Sequence, residues 1–251
     1  MLTEERHQFI QNQLNKDSTV QVKKLVESLG VSESTIRRDL SQLEEEGLLV
    51  RIHGGAKRSY RLDTEATLKE KATTSKSEKQ AIGKFAASLV QDGDTIFLDA
   101  GTTTATLIPH LVGKSNLKIV TNGLKQAEYL SELAFQVIVL GGQLKVRTQA
   151  IIGTTATNQL ATYRFNKAFI GINGVDIAYG LTTPDDEERN IKRLALDLAS
   201  DAYFLADVSK FNKVSFSQVA PLENQRIITN KLPTTLQADF QSIANIKEVI
   251  K

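Results

Sequence analysis

Residues 25–40 read LVESLGVSESTIRRDL, and this stretch predicts two helices joined by a short turn. Apolar residues recur at spacings of three and four before the turn, and Ile36 and Leu40 continue the pattern after it. Gly30 suits the end of the first helix, and Ser32 is a good N-cap for the second. Such a pair is typical of a helix-turn-helix, whose second helix lies in the major groove of DNA.

The outward side of the second predicted helix carries the chemistry for DNA. If Ile36, Leu40 and Leu43 face a core, the other side chains of this helix point outward. An arginine can bond O6 and N7 of one guanine, and serine or threonine hydroxyls can bond a phosphate or a base edge. The side chains predicted to lie at the groove are Ser32, Glu33, Ser34, Thr35, Arg37 and Arg38.

The flanking segments complete a compact module over residues 1–57. An amphipathic helix comes first, and residues 48–52 read as a strand that leads into a glycine hairpin tip at residues 53–55. The prediction is a winged helix-turn-helix, and the alternative is a small helical bundle with a solvated surface. Basic side chains around the hairpin suit the DNA backbone, namely Arg51, His53, Lys57 and Arg58.

Composition sets the class of protein around this module. A length of 251 residues fits two domains or one large domain, and 41% hydrophobic residues can form a packed core. The absence of cysteine excludes disulfides, cysteine-ligated zinc and a thiol nucleophile. The acidic start does not fit a secretory signal, and no apolar run reaches the roughly 18 residues of a membrane span. We therefore expect a cytoplasmic protein without a membrane partner.

The second part of the chain has a different pattern. Residues 58–77 are polar and read as a linker, whereas residues 78–251 alternate between strands and helices. Short apolar strands separated by helices predict an α/β fold with a mostly parallel sheet covered on both faces. Seven strands of this sheet are predicted, at residues 95–99, 117–121, 135–140, 167–172, 202–206, 226–229 and 246–250.

Glycine and threonine follow these strands at the edge where parallel sheets bind ligands. Residues 99–104, DAGTTT, follow one strand and open a helix, so their N–H groups and hydroxyls can form an anion site. Residues 121–122 and 141–142 end the next two strands at the same edge. Pro109 falls in the helix after the first of these loops and should shorten or kink it.

Charged residues further along have structural explanations. Thr183 can cap a helix that has a proline in its first turn and acids facing the helix dipole. Glu188 and Lys192 are four residues apart, and on spacing alone they favour a surface ion pair.

Several stretches resemble the DeoR family of bacterial sugar-metabolism regulators. Residues 34–40, STIRRDL, and 51–56, RIHGGA, resemble its DNA-binding domain, and residues 78–250 resemble its sensor domain. The resemblance implies a sensor similar in fold to ribose-phosphate isomerase and glucosamine-phosphate deaminase. Within the family, the chain is most similar to the fructose-operon repressors of Gram-positive bacteria, which implies fructose 1-phosphate as the effector.

The resemblance also implies roles for individual residues. Gly101, Thr102, Thr103 and Thr104 would hold a phosphate, with Lys210 as a second phosphate ligand. Lys145 stands where many members have arginine, and a lysine offers a point charge in place of a planar fork. The other effector-binding residues would be Asp99, Thr121, Asn122, Gly141, Gly142, Lys145, Asp176, Glu188 and Lys192.

Together these features predict a transcriptional repressor that is a homo-oligomer on operator DNA and is released by a phosphorylated sugar. No metal, cofactor or catalytic residue is predicted. The alternative is a sugar-phosphate isomerase or deaminase with an appended DNA-binding domain. Asp176 and Glu188 are its candidate acid and base, and no histidine falls in the second half of the chain.

Overall fold

A computed structural model describes residues 2–17, 19–59 and 66–249. The chain divides into two compact units, Met1–Arg61 and Leu62–Lys251. Residues 60–65 of the predicted linker, Ile250 of the last predicted strand, and the terminal residues 1 and 251 lie outside the described residues. None of the described helices is long and apolar enough to span a membrane.

The first unit combines three helices with a three-stranded antiparallel sheet. Its elements are α1 (Thr3–Asp17), β1 (Thr19–Gln21), α2 (Val22–Leu29), α3 (Glu33–Glu45), β2 (Leu49–Ile52) and β3 (Gly55–Arg58), with the strand order β1-β3-β2. Ile36, Leu40 and Leu43 are buried, together with Ile10 and Leu14 of α1. The predicted winged helix-turn-helix is confirmed.

Local sequence explains the turn between α2 and α3. Gly30 has a φ of 63°, in the left-handed region that favours glycine, and its N–H donates to the Val26 carbonyl oxygen at 2.9 Å. Ser32 caps α3, because its hydroxyl accepts from the Thr35 N–H at 3.2 Å. Both signals were readable in the sequence.

An ion pair absent from the sequence predictions joins α1 to α3. Asp39 is only 2% exposed, and its carboxylate accepts from Nε of Arg6 at 2.7 Å and from Nη2 at 2.9 Å. A bidentate contact of this kind fixes the orientation of both groups. It therefore holds α3 in place on the rest of the unit.

The second unit is an α/β domain. Its helices are α4 (Leu68–Thr73), α5 (Lys76–Ser88), α6 (Thr102–Ala105), α7 (Leu124–Glu132), α8 (Thr154–Ala161), α9 (Asp186–Leu198) and α10 (Thr234–Phe240), with 3-10 helices at Ile108–Leu111 and Val208–Lys210. Its strands are β4 (Thr95–Leu98), β5 (Lys118–Thr121), β6 (Val137–Val139), β7 (Gln143–Lys145), β8 (Ala150–Ile152), β9 (Phe165–Gly171), β10 (Gly174–Asp176), β11 (Gly180–Thr183), β12 (Ala199–Leu205), β13 (Ser217–Ala220), β14 (Arg226–Asn230) and β15 (Asn245–Val249).

All seven predicted strands pair in one sheet, in the order β15-β14-β12-β9-β4-β5-β6. The pairings between its described residues are parallel. Successive residues face opposite sides, so Phe97 joins one core cluster while Ile96 and Leu98 join the other. The prediction of a mostly parallel sheet covered on both faces is confirmed.

Local structure departs from the sequence predictions in several places. Residues 68–73, within the predicted linker, form α4 of the second unit. The helix predicted to have Thr183 as its N-cap is α9, and its N-cap is Asp185. The Asp185 carboxylate accepts from the Glu188 N–H at 2.9 Å. The small antiparallel sheets β7-β8 and β10-β11-β13 were not predicted. Pro109 acts as expected, because α6 has only four residues and is followed by a 3-10 helix.

Candidate functional site

A small cavity lies at the carboxyl edge of the seven-stranded sheet, beyond the ends of β4 and β9. Its volume is about 50 Å³. Open α/β sheets bind their ligands at this edge. The cavity is lined by Leu68, Lys71, Lys79, Ala100, Gly101, Thr102, Thr103, Thr148, Gly171, Ile172, Asn173, Glu188, Lys192 and Lys210. Six predicted effector-binding residues are among them, namely Gly101, Thr102, Thr103, Glu188, Lys192 and Lys210.

The loop between β4 and α6 is shaped by one buried threonine. Thr104 Oγ1 lies 2.6 Å from the Asp99 carbonyl oxygen and 2.7 Å from that of Gly101. Its hydroxyl is therefore used inside the loop, whereas Thr102 and Thr103 belong to the lining of the cavity. The threonines of this loop thus divide into one whose hydroxyl is bonded within the loop and two that line the cavity.

Two lysines from other elements line the same cavity. Lys79 of α5 is 3% exposed, and its Nζ donates to Thr102 Oγ1 at 3.2 Å and to the Lys71 carbonyl oxygen. Burial is the largest cause that lowers the pKa of both Lys79 and Lys210; Asp207 opposes it, and neighbouring lysines add to it. An anion would offset both the desolvation and the mutual repulsion of these ammonium groups.

A second part of the lining is a network of buried charges. Oε1 of Glu188 accepts from Thr148 Oγ1 at 2.7 Å and from Lys145 Nζ at 3.0 Å. Lys192 Nζ lies 2.5 Å from Asp99 Oδ2. Because Glu188 and Lys192 are 7% and 5% exposed and bond to distant residues, the prediction of a surface ion pair between them is wrong. Carboxylate, ammonium and hydroxyl groups together can both accept from and donate to sugar hydroxyls.

Eight predicted effector-binding residues lie outside the lining. Asp99, Thr104 and Lys145 make the contacts described above, and five others remain. The Thr121 hydroxyl donates to a carbonyl oxygen of β4 at 2.6 Å, and the Asn122 side chain accepts a backbone N–H from the loop after β4 at 3.0 Å. Asp176 accepts two backbone N–H groups in the turn after β10. Gly141 and Gly142 are exposed beyond the end of β6. In this structure these residues support or adjoin the edge of the sheet.

Lys79 and Thr148 were not among the site residues predicted from the sequence. Lys79 lies three residues before Ile82, on the stripe of α5 that packs into the core. A lysine on an apolar stripe was therefore the signal that could have identified it. Thr148 lies in the loop between β7 and β8, and no pattern in the sequence predicts that hairpin.

The predicted DNA-contacting residues lie on the surface of the first unit. Arg37 Nε donates to Glu33 Oε1 across one turn of α3 at 2.8 Å. Arg51 Nη1 donates to Ser41 Oγ at 2.8 Å, which ties β2 to α3. Thr35 and Arg58 are half-buried, and the other predicted contacts are exposed, namely Ser32, Glu33, Ser34, Arg37, Arg38, Arg51, His53 and Lys57.

Family models match both units of the chain. A model described as a DeoR-like helix-turn-helix domain matches residues 6–61, and one described as a DeoR C-terminal sensor domain matches residues 74–231. The second match alone spans more than half of the sequence.

Similar full-length proteins are named as transcriptional regulators. An uncharacterized HTH-type transcriptional regulator FruR of Bacillus subtilis is 41% identical over 249 residues, covering 99% of both chains. The HTH-type transcriptional regulator GlpR of Haloferax volcanii is 36% identical, covering 89% of this chain and 88% of its own. A lactose phosphotransferase system repressor of Staphylococcus epidermidis is 38% identical, covering 83% and 84%.

Solved structures give more distant matches. Ribose 5-phosphate isomerase A from Neisseria gonorrhoeae matches with a TM-score of 0.39 and 19% identity, over 53% of this chain and 52% of its own. The eIF2B delta subunit from Chaetomium thermophilum matches with a TM-score of 0.43 and 14% identity, over 72% and 57%.

Proposed function

Because the chain belongs to the DeoR family of transcriptional regulators, we propose that it represses a sugar operon and leaves operator DNA when it binds a phosphorylated sugar. The observation that carries the sensor part of this proposal is that two lysines, the buried Lys79 and the half-buried Lys210, line the cavity beside the loop that opens α6. Two cations in a desolvated site call for an anion, and a phosphate supplies up to two negative charges there.

The phosphate would occupy the end of the cavity formed by Thr102, Thr103 and the two lysines. Lys79 already donates to the Thr102 hydroxyl, so both groups can reach one oxygen of a ligand. Charge-assisted hydrogen bonds from an ammonium group to a phosphate are among the stronger polar contacts in proteins. This end of the site therefore supplies most of the affinity.

The sugar would contact the network around Glu188 and Lys192. Each of these groups is held by a second residue, Glu188 by Thr148 and Lys192 by Asp99. A fixed set of donors and acceptors rejects a sugar whose hydroxyls do not match, because its own buried groups are then left unpaired. This end of the site therefore supplies specificity, and fructose 1-phosphate is the ligand we propose to test first.

The DNA would be read by α3, with the wing on the flanking phosphates. Arg37 and Arg38 are the side chains suited to guanine, and Lys57 on β3 is suited to the backbone. One such module offers too few contacts for tight binding, so we propose a homo-oligomer on paired half-sites.

The experiment measures ligand binding and operator release on the same full-length protein. Thermal unfolding is followed with fructose 1-phosphate, fructose, several other sugar phosphates and inorganic phosphate. A ligand at 100 times its Kd adds about 2.7 kcal/mol of stability, which is a readily measured shift. Operator binding is then titrated with every compound that stabilises the protein.

Lys210→Ala is the variant that tests the site, and Lys118→Ala is its control. Both remove one positive charge, but Lys118 is exposed at the start of β5, the opposite end of the strand from the cavity. We expect Lys210→Ala to release operator only at tenfold to a hundredfold higher sugar phosphate, since a bond to a charged group contributes about 1.5–3 kcal/mol. If both variants released operator at the same sugar-phosphate concentration, Lys210 would not be a phosphate ligand.

The enzymatic alternative makes a different prediction for the same compounds. An isomerase or deaminase would convert the sugar phosphate that stabilises it, whereas a sensor returns it unchanged. Incubation of the stabilising compound with protein, followed by chromatography, distinguishes the two. Conversion by wild type that is lost in Glu188→Gln would favour the enzyme.

A further inference from the structure

Helix α4 contributes to the lining of the cavity and is the first described helix after the DNA-binding unit. Residues 67–73, which we call the strap, comprise α4 and its N-cap. Two residues of the strap, Leu68 and Lys71, line the cavity together with Lys79 and Thr102. In the chain, the strap follows shortly after Arg61, where the first unit ends. The strap is thus the part of the lining that is nearest in sequence to the DNA-binding unit.

The strap is a short capped helix that is weakly anchored to the domain, and a helix of six residues does not persist in water once it leaves its neighbours. A capping box at its start satisfies its first N–H groups. No residue of α4 is buried, whereas α5, α6 and α9, the other α-helices that contribute to the lining, each bury residues. The hydrogen bonds that hold it include one from the Leu68 N–H to the Arg147 carbonyl oxygen at 3.1 Å and one from Lys79 Nζ to the Lys71 carbonyl oxygen.

The volume of the cavity shows that its lining must move for a sugar phosphate to enter. About 50 Å³ is room for a few water molecules, whereas sites for small organic ligands measure roughly 300–1,000 Å³. Elements that bury little apolar surface open at the lowest free-energy cost. Among the α-helices of the lining, that element is the strap.

We propose that the strap couples the sensor site to the DNA-binding unit, an inference that rests on the proposed function. On binding, a phosphate oxygen replaces the Lys71 carbonyl oxygen as the acceptor for Lys79 Nζ, and the strap moves away from the sheet edge. The exchange is favourable because an ammonium group bonds a phosphate more strongly than a neutral carbonyl. The strap is the part of the lining nearest in sequence to the first unit, so its release on effector binding is the change that the DNA-binding unit would receive.

A docked strap and a bound effector therefore exclude each other. By linkage, any change that weakens docking of the strap must strengthen effector binding to the same degree. Ala72→Gly is such a change, because Ala72 is exposed in α4 and does not line the cavity. Glycine disfavours the helix by up to about fivefold relative to alanine, so effector affinity should rise by up to about fivefold.

The control is Ala161→Gly, an exposed alanine at the end of α8, outside the lining. We expect Ala72→Gly to release operator at a lower fructose 1-phosphate concentration than wild type, and Ala161→Gly to behave as wild type. Equal half-release concentrations for the two variants, or weaker effector binding by Ala72→Gly, would overturn the coupling role of the strap.

Hydrogen exchange separates this proposal from the function on which it rests. With saturating fructose 1-phosphate, the amides of residues 68–73 should exchange faster while those of α5 and α9 are unchanged or slower. If the sugar phosphate raises the unfolding temperature but exchange in the strap is not faster, the coupling role of the strap is refuted. The proposed sensor function would still stand. Failure of every sugar phosphate in the panel to stabilise the protein would refute the sensor itself, and the strap with it.

Discussion

The two units present positive charge in opposite ways. Arg37 and Arg38 of the first unit are exposed on α3, whereas Lys79 of the second unit is 3% exposed under a helix. Exposed charges are already solvated, so they bind a long polyanion at little desolvation cost and are screened by salt. A buried ammonium group has lost its water and gains most from one small anion of fitting shape. The same chemical charge therefore suits DNA in one unit and a single phosphate in the other.

Two ion pairs with the same N–O distance show the same contrast between exposed and buried charge. Nη2 of Arg37 lies 2.5 Å from Oε1 of Glu33, and Nζ of Lys192 lies 2.5 Å from Oδ2 of Asp99. The side chains of the first pair are 51% and 60% exposed, and those of the second are 6% and 2% exposed. Distance alone therefore says little about what either pair contributes, because burial sets the energy of breaking it.

The largest expected effect comes from breaking the buried pair. Asp99→Ala should lower the free energy of unfolding by about 3–5 kcal/mol, because it removes a carboxylate from a buried ammonium group and an acceptor from the Gly171 N–H. Glu33→Ala, its exposed counterpart, should change it by no more than about 0.5 kcal/mol. Urea unfolding of both variants measures the difference, and similar losses would contradict the contrast drawn from burial.

The next effect concerns operator affinity. Arg37→Ala or Arg38→Ala should each cost about 1–3 kcal/mol of binding, with relaxed specificity at whichever position reads a base. Neither should alter stabilisation by sugar phosphate, since both lie on the first unit. Fluorescence anisotropy with operator and mutated operators measures both quantities. Unchanged operator affinity in the double variant would place the DNA contacts elsewhere than on α3.

A smaller effect is expected for a phosphate contact. Lys57→Ala should weaken binding to all DNA sequences alike and reduce the slope of log K against log salt by about one. Sugar-phosphate binding to Lys79 and Lys210, which are buried and half-buried, should depend much less on salt. Titrations at several salt concentrations test both statements, and a change in sequence preference would show that Lys57 reads a base.

The effect of pH on stability through Lys79 and Lys210 is the smallest one expected at neutral pH, and it becomes diagnostic in alkali. In the folded chain the pKa values of Lys79 and Lys210 lie below the ordinary lysine value of 10.5. At a pH between the lowered values and 10.5, the unfolded chain therefore binds more protons than the folded chain. The free energy of unfolding should therefore rise with pH across that window. Effector affinity should fall across it, because the phosphate binds the charged lysines. Calorimetric titrations of wild type and Lys210→Ala measure this, and an identical pH profile would exclude Lys210.

Much of the fold followed from local sequence. The turn at Gly30, the cap at Ser32 and the apolar spacing of Ile36 and Leu40 each depend on residues within one or two helical turns. The seven strands of the main sheet were readable for the same reason, as short apolar runs between helical patterns. The loop DAGTTT at residues 99–104 was recognisable because a glycine and hydroxyls follow a buried strand.

The identity of the buried partners was decided only by the tertiary structure. Lys192 pairs with Asp99, 93 residues away, and Glu188 bonds Thr148, 40 residues away, although spacing favoured a pair between Glu188 and Lys192. A helical repeat specifies which residues share a side but not which strand that side will cover. The order of the strands brings these segments to one edge of the sheet, and their burial there joins charged residues that are distant in sequence into one network beside the cavity.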